Sequence, residues 1–130
     1  MSLSQHILFG LPGAYTPVCS GSHLPSFVNM HQELLKRGVR SVNCVSVNDS
    51  FVMQAWGDVH KAGGKVHMLA DPAGEFVKAM DLTINVGFLG GLRSTRFAMV
   101  IEDGKVKSLE VEKDPTVGTC SLAGSIIKKL

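Results

Sequence analysis

The stretch "RFAMVIEDGKVKSLEVE", residues 96–112, is the strongest structural signal in this 130-residue chain. Two runs rich in apolar and β-branched residues flank the pair Asp103-Gly104. Such a pair between two strand-like runs favours a tight two-residue turn. The stretch therefore predicts an antiparallel β-hairpin, with strands at 96–102 and 105–112.

Upstream of the hairpin, strand-like and helix-like runs alternate. Short apolar runs predict strands at 6–10, 39–47 and 65–69. Apolar residues at helical spacing, or short segments that follow a turn, predict helices at 20–36, 49–62, 74–81 and 121–130. The glycines at 82–94 predict a long loop. Strands that alternate with helices favour right-handed parallel units. We therefore predict one α/β domain over residues 1–130, a thioredoxin-like fold whose central mixed sheet is flanked by helices.

The predicted helices carry specific expectations. Pro25 lies inside helix 20–36, where a proline removes a hydrogen bond and tends to kink the helix. Asn48 or Asp49 is a suitable cap for the next helix. The inward face of helix 49–62 is predicted to consist of Phe51, Val52, Ala55, Trp56 and Val59. That of helix 121–130 is predicted to consist of Leu122, Ile126 and Ile127.

Composition excludes several classes of protein. The chain is 45% hydrophobic and 18% charged with a net charge of +2, which suits a single core without disulfides. Its basic residues are scattered, so no nucleic-acid partner is expected, and no apolar run approaches a membrane span. The opening "MSLSQH" lacks the features of a secretory signal.

Three cysteines, an odd number, favour a reducing intracellular compartment over a disulfide scaffold. The cytoplasm is the first expectation, with mitochondria and peroxisomes as alternatives; the tail Lys128-Lys129-Leu130 is only loosely similar to a peroxisomal signal. No paired ligand spacing occurs, so neither a metal nor a cofactor is expected.

The segment "GAYTPVCSGSH", residues 13–23, places a cysteine where a helix begins. With Thr16 as the cap, Pro17 is the first helical residue, where its missing N–H costs least, and Cys19 is the third. First-turn N–H groups, the Thr16 hydroxyl and the helix dipole would all favour a thiolate there. The alternative is that Cys19 is a small, buried and inert apolar residue.

The other two cysteines differ in their surroundings. Cys44 lies within a valine-rich strand, so we interpret it as buried and inert. Cys120 lies where a Gly-containing loop meets the last helix, which leaves an accessible thiol and a small helix-start residue as equal interpretations.

Several segments resemble the atypical two-cysteine peroxiredoxins of the redoxin family, namely the fifth mammalian class and the plant type-II enzymes. They are "PGAYTPVCS" (12–20), "HLPSFV" (23–28), "VSVNDSFVMQAW" (45–56), "LADPAGEF" (69–76), "RSTRFAMVIEDGKV" (93–106) and "TCSLAGSIIKKL" (119–130). The P-x-x-x-T-x-x-C pattern is specific for peroxiredoxins. The resemblance runs from about residue 7 to the C-terminus.

The resemblance implies an enzyme that reduces hydrogen peroxide and alkyl hydroperoxides, and peroxynitrite as a further substrate. Cys19 corresponds to the peroxidatic cysteine, whose thiolate attacks the O–O bond and becomes a sulfenic acid. Thr16 corresponds to the threonine that hydrogen-bonds the thiolate and the peroxide, Pro12 to the first proline of the motif, and Arg96 to the arginine that polarises the peroxide. Cys120 corresponds to the resolving cysteine of the mammalian type, which forms an intramolecular disulfide with Cys19. The resemblance implies that thioredoxin then reduces this disulfide.

The resemblance leaves some alternatives open. Plant type-II members resolve through a cysteine near Cys44 and use glutaredoxin. A structural or interface role for His23, four residues after Cys19, is preferred over a catalytic one. Family members usually carry an N-terminal β-hairpin that this chain is expected to lack, which would uncover an edge or apolar face of the sheet. A homodimer is expected.

Two other classes of function compete with the peroxidase. One is a thiol–disulfide oxidoreductase on the same fold, which the absence of a C-x-x-C pattern after Cys19 disfavours. The other is a non-enzymatic redox sensor or holdase, or an inactive truncated form.

Overall fold

The computed structural model describes residues 4–130. Its strands are β1 (Gln5–Gly10), β2 (Val39–Ser46), β3 (His67–Ala70), β4 (Thr83–Val86), β5 (Gly91–Ser94), β6 (Phe97–Glu102) and β7 (Lys105–Val111). Its α-helices are α1 (Leu24–Asn29), α2 (His31–Lys36), α3 (Ser50–Val59), α4 (Glu75–Ala79) and α5 (Ala123–Ile126). A π-helical turn spans Cys19–His23, and 3₁₀ turns span Gly87–Leu89 and Ile127–Lys129. The prediction that "MSLSQH" carries no leader concerns in part residues 1–3, which lie outside the described range.

Five strands form the central sheet in the order β3-β2-β1-β6-β7. β1 pairs in parallel with β2, and β2 with β3, whereas β6 runs antiparallel to both β1 and β7. The predicted mixed sheet of a thioredoxin-like fold is therefore confirmed. Because β1 and β6 are neighbours, the segment that follows β1 and the residue that precedes β6 meet at one end of the sheet.

The hairpin of β6 and β7 forms as predicted. Glu102 pairs with Lys105, and the two residues between them have φ angles of 51° at Asp103 and 77° at Gly104. Positive φ at both central positions is what a type I′ turn requires, and it matches the right-handed twist of the strands.

The prediction of a long loop at 82–94 is wrong. β4 and β5 pair there as a separate two-stranded sheet, with the 3₁₀ turn between them and positive φ at Gly90 and Gly91. Each strand has only four residues. So short a run holds too few side chains to display a period of two, and the glycines obscure it further.

The predicted helix at 20–36 is divided into three parts. Helical structure begins at Pro17, widens into the π-helical turn, continues as α1 and resumes after Met30 as α2. At the end of the π-helical turn the Leu24 N–H donates to the Cys19 carbonyl five residues back, just before Pro25, which has no N–H to donate. The wide turn therefore carries the helix past the proline that looked discordant in the sequence.

α3 begins after Asp49, whose carboxylate accepts the Val52 N–H at 2.8 Å, so one of the two predicted caps is used. The predicted inward face is confirmed at Trp56 but wrong at Phe51, which is 85% exposed, at Val59, which is 63% exposed, and at Ala55, which is also exposed. The buried residues are Met53, Trp56 and Gly57. A Cβ at Gly57 would lie 2.8 Å from Met68 Cγ, so this glycine lets the helix approach β3 closely and sets which face turns inward.

α5 turns Ala123 and Ile126 inward, whereas Leu122 and Ile127 are only half-buried. The inward face predicted for the last helix is thus confirmed at Ile126, which is fully buried, and at Ile127, which packs against the core while partly exposed.

Buried apolar side chains of the sheet, the helices and the loops form two clusters. The larger contains Cys19 and Cys44 and is centred on Trp56 and the stacked rings of Phe9 and Phe27, whose centroids lie 4.2 Å apart. The smaller, on the other face, contains Leu8, Val45, Leu82, Phe97 and Met99. Within residues 4–130, no helix is long and apolar enough to cross a membrane.

Candidate active site

Cys19 lies in the first turn of the helix that follows β1. The first bond of that helix runs from the Ser20 N–H to the Thr16 carbonyl at 2.9 Å, so Cys19 is the third helical residue, as predicted. Its side chain is fully buried. The predicted hydrogen bond from the Thr16 hydroxyl to the sulfur is wrong, because the single hydroxyl proton is donated to the Gly13 carbonyl at 2.7 Å.

Arg96 contacts the sulfur directly from the residue before β6. Its Nη2 donates to Cys19 Sγ at 3.1 Å, its Nη1 to His23 Nδ1 at 2.9 Å, and its Nε to the Pro115 carbonyl at 2.9 Å. The residue is only 2% exposed, and the ion pairs found among residues 4–130 do not include it. A buried guanidinium that forms none of these ion pairs therefore lies directly against the sulfur.

His23 holds Arg96 in place. Arginine offers only donors, so Nδ1 must be the unprotonated ring nitrogen, and Nε2 donates to the Ser121 carbonyl at 3.1 Å. Burial, reinforced by the Arg96 charge, lowers the pKa of His23 to about 3. The imidazole is therefore neutral over the physiological range, in one tautomer. Its position four residues after Cys19 was the signal for this contact.

A cavity of about 250 Å³ opens onto this arrangement. Its walls are almost entirely apolar, and Arg96 is the charged residue among them. The lining residues are Pro12, Thr16, Pro17, Val18, Ile84, Val86, Phe88, Leu89, Arg96, Pro115 and Thr116. The wall from β4 and the following 3₁₀ turn was missed from sequence, since that segment was predicted to be a loop.

Cys44 and Cys120 lie in contrasting places. Cys44 is fully buried in β2, and burial, followed by the charge of Cys19, raises its pKa well above the ordinary value. Cys120 is half-buried and is not among the residues that line the cavity. Desolvation and then the Glu112 charge raise its pKa. All three cysteines are free thiols.

Glu112, just after β7, was not singled out from the sequence, and no motif marks it. Its carboxylate accepts the backbone N–H groups of Thr119 and Ser121, each at 2.8 Å, and the hydroxyls of both residues. These four donors lower its pKa to about 2 although desolvation acts in the opposite direction. The segment that contains Cys120 is thus held from both sides.

The comparisons with known proteins decide the family. A family model described as Redoxin matches residues 3–126. The chain belongs to the Redoxin family. Peroxiredoxin-2D from Arabidopsis thaliana is 42% identical over 125 residues, which make up 95% of this chain and 76% of that protein.

Solved structures of redoxins agree with this family. Reduced Prx3 from Vibrio vulnificus in complex with H₂O₂ superimposes with a TM-score of 0.93 at 42% identity, covering 98% of this chain and 82% of that one. Peroxiredoxin 5 from Alvinella pompejana gives a TM-score of 0.85 at 32% identity over 97% of this chain and 78% of that one.

The redoxin described here is thus a peroxiredoxin similar to the type-II enzymes, and it is a thiol-dependent peroxidase. Of the site residues predicted from sequence, Pro12, Thr16 and Arg96 line one cavity, and Cys19 contacts it through Arg96. Among residues 4–130, no cluster of three or more His, Cys, Asp or Glu side chains is suited to hold a metal ion.

Proposed function

We propose that this peroxiredoxin reduces hydrogen peroxide and small alkyl hydroperoxides with Cys19 as the nucleophile. The observation that carries the proposal is the 3.1 Å contact between Arg96 Nη2 and Cys19 Sγ next to an apolar cavity. A cation fixed beside the sulfur favours the thiolate, and the same cation faces the oxygen atoms of a bound peroxide. A cavity of about 250 Å³ suits a substrate of this size.

The chemistry begins with attack of the Cys19 thiolate on the nearer peroxide oxygen. An S–O bond forms while the O–O bond breaks, and the leaving oxygen takes a proton to give water or an alcohol. The product at Cys19 is a sulfenic acid. Negative charge grows on the leaving oxygen as the O–O bond breaks, and the Arg96 guanidinium stabilises it there.

Thr16 and Pro12 orient the peroxide in this proposal. Since the Thr16 proton is held by the Gly13 carbonyl, the hydroxyl oxygen presents lone pairs to the cavity and accepts the O–H of the peroxide. Pro12 adds an apolar wall without an N–H donor, which helps to keep water from competing with the substrate.

Cys120 completes the reaction as the resolving cysteine. Its sulfur attacks the sulfenic sulfur of Cys19, so that an S–S bond forms, the S–O bond breaks and water leaves. The half-buried position of Cys120 supports this choice over Cys44, because Cys44 is fully buried within β2.

Thioredoxin is the proposed reductant, with glutaredoxin as the alternative. The incoming thiolate attacks the exposed side of the disulfide, at Cys120, and releases Cys19 as a thiolate beside Arg96. The burial of Cys19 disfavours the competing role as a thiol–disulfide oxidoreductase, because a protein disulfide could not reach the sulfur.

Two further proposals concern assembly and location. Phe88, on the cavity rim, is 90% exposed, and such an apolar surface supports a homodimer formed near the site. Three free thiols support a reducing intracellular compartment, with the cytoplasm first.

The test is peroxide consumption in the presence of thioredoxin, thioredoxin reductase and NADPH. We expect turnover by the wild type and by Cys44→Ala, and none by Cys19→Ser. Peptide mapping after one equivalent of peroxide should find a Cys19–Cys120 disulfide. A Cys19–Cys44 disulfide would transfer the resolving role, and equal turnover by Cys19→Ser would refute the mechanism.

A further inference from the structure

We propose that Glu112 is a positioning residue that restrains Cys120 and slows formation of the Cys19–Cys120 disulfide. The inference rests on the proposed resolving role of Cys120. It assigns a function to a buried carboxylate that the peroxide step does not use.

The restraint is visible in the hydrogen bonds of Glu112. The residue is only 4% exposed, and its carboxylate accepts four hydrogen bonds from the two residues that flank Cys120. Both Thr119 and Ser121 contribute their backbone N–H, so the main chain itself is fixed on each side of the cysteine. Hydrogen bonds to an ionised acceptor are roughly twice as strong as neutral ones.

The same segment is tied to the peroxidatic site. The Ser121 carbonyl accepts the Nε2–H of His23, whose Nδ1 accepts from Arg96, which in turn donates to Cys19 Sγ. The backbone of Glu112 also donates to the Arg96 carbonyl at 2.9 Å. The residues around Cys120 are therefore connected to Arg96 in two ways, through His23 and through the backbone of Glu112.

A disulfide between Cys19 and Cys120 imposes a defined geometry on both segments. The two Cα atoms must come within roughly 4.4–6.8 Å with the Cβ atoms facing one another. Cys19 is fully buried against Arg96, whereas Cys120 is half-buried beside Glu112 and Glu110. We infer that Cys120 reaches the sulfenic sulfur only after bonds to Glu112 break.

The negative charge of Glu112 acts in the same direction as its hydrogen bonds. After desolvation, this charge is the largest influence that disfavours the Cys120 thiolate, which is the attacking form. Slower resolution prolongs the sulfenic acid at Cys19, and a second peroxide can then oxidise it to sulfinic acid. Glu112 thereby sets the balance between turnover and inactivation.

The test measures the two steps separately in Glu112→Gln. Trp56, the only tryptophan, donates its Nε1–H to the hydroxyl of Ser20, next to Cys19, so its fluorescence reports the site in stopped flow. We expect disulfide formation after a peroxide pulse to be about tenfold faster, as hydrogen bonds to a charged group are lost. The reduction potential of the disulfide should become more negative, and less sulfinic acid should accumulate at high peroxide.

The matched control is Glu110→Gln, which removes a second charge near Cys120 but none of the four hydrogen bonds. Glu110 pairs with Lys129 at 3.3 Å. Its variant should form the disulfide at nearly the wild-type rate. Equal acceleration by Glu110→Gln would show that charge alone acts and would overturn the restraint.

Thr119→Ala removes one hydroxyl donor and provides a milder test if Glu112→Gln folds poorly. It should accelerate resolution by a smaller factor. Unchanged resolution in both variants would refute the proposal, because Glu112 would then have no effect on the step. Slower resolution would also refute it, because Glu112 would then hold Cys120 in position for attack. Peptide mapping of the oxidised wild type separates this proposal from the resolving role of Cys120. If no Cys19–Cys120 disulfide is found, both the resolving role and this proposal are refuted. If the disulfide is found but the variants form it at the wild-type rate, this proposal alone is refuted.

Discussion

Arg96 Nη1 lies 2.9 Å from His23 Nδ1, and this hydrogen bond forms only while the imidazole is neutral. The histidine is packed against Phe9 and Phe27, at centroid distances of 4.8 and 5.9 Å. Its apolar surroundings and the neighbouring guanidinium both oppose a second positive charge. The position of the Arg96 guanidinium beside Cys19 thus depends on a histidine that stays uncharged.

The pH dependence of stability should reveal that histidine. Because the pKa of His23 is about 3 in the folded protein and roughly 6.5 when unfolded, only the unfolded state binds the proton between these values. The free energy of unfolding should therefore fall as pH decreases below about 6.5, by up to about 1.4 kcal/mol per pH unit. Urea unfolding at pH 5.0 and pH 7.5 measures the effect.

The matched variant is His23→Phe, which keeps the ring packing and removes the titration. Its stability should change less between the two pH values than that of the wild type. Glu112 and Asp114, whose pKa values are also lowered, bind protons when unfolded only near pH 4, below this interval. An equal pH dependence in the variant would contradict the assignment.

Substitution of Arg96 should slow the oxidation of Cys19 far more than substitution of an exposed arginine. Arg96→Ala removes the cation beside Cys19 and should slow oxidation of Cys19 by about 10²–10³-fold. Arg96→Lys should recover only part of the rate, because an ammonium cannot reproduce the planar fork that contacts the sulfur, His23 and the Pro115 carbonyl together. Stopped-flow Trp56 fluorescence follows the reaction, and Arg40→Ala, on an exposed position of β2, serves as the unaffected control.

Thr16 can be tested through its hydroxyl alone. Thr16→Val keeps the shape but loses both the bond to the Gly13 carbonyl and the lone pairs that face the cavity. We expect the second-order rate constant with H₂O₂ to fall about tenfold or more, since a positioned polar group is lost. Thr16→Ser retains the hydroxyl and should stay close to the wild type. Similar losses in the two variants would show that the methyl group matters instead.

Cys44 should be inert in the native protein. Its full burial and raised pKa predict that iodoacetamide at pH 7.5 modifies Cys120 before Cys44 and leaves Cys44 unmodified until the protein unfolds. Cys44→Ser should destabilise the fold by about 1–3 kcal/mol, because the hydroxyl is buried in an apolar cluster. The protein is labelled while folded and then digested, and mass spectrometry of the peptides compares the two sites. Labelling of Cys44 as fast as that of Cys120 would contradict the prediction.

Local signals predicted most of the fold, and the parts they missed depend on distant contacts. The hairpin around Asp103-Gly104 follows from turn chemistry that is complete within a few residues. The inward face of α3 depends on the packing of Met68, in β3, against Gly57. The pattern of apolar residues along the helix contains no information about this contact.

The site divides in the same way. The P-x-x-x-T-x-x-C pattern marks Pro12, Thr16 and Cys19 within eight residues. Glu112 acts on residues 119 and 121 across a loop, through a spacing that matches no motif. The direction of the Thr16 hydroxyl was likewise beyond reach, because it depends on the turn that brings the Gly13 carbonyl close.

The π-helical turn at Cys19–His23 makes the protein sensitive to the number of residues between Cys19 and α1, whereas the identity of residue 21 matters little. A Cβ on Gly21 would meet no atom within 4 Å, so Gly21→Ala should be accommodated. Loss of that residue is different: each helical residue advances by about 100°, so a deletion would rotate Pro17–Cys19 about the axis by that angle relative to α1. Leu24 and Phe27 would keep their places in the core while the sulfur turned away from Arg96. A one-residue insertion or deletion between Cys19 and α1 should therefore abolish activity even though Cys19 itself is kept.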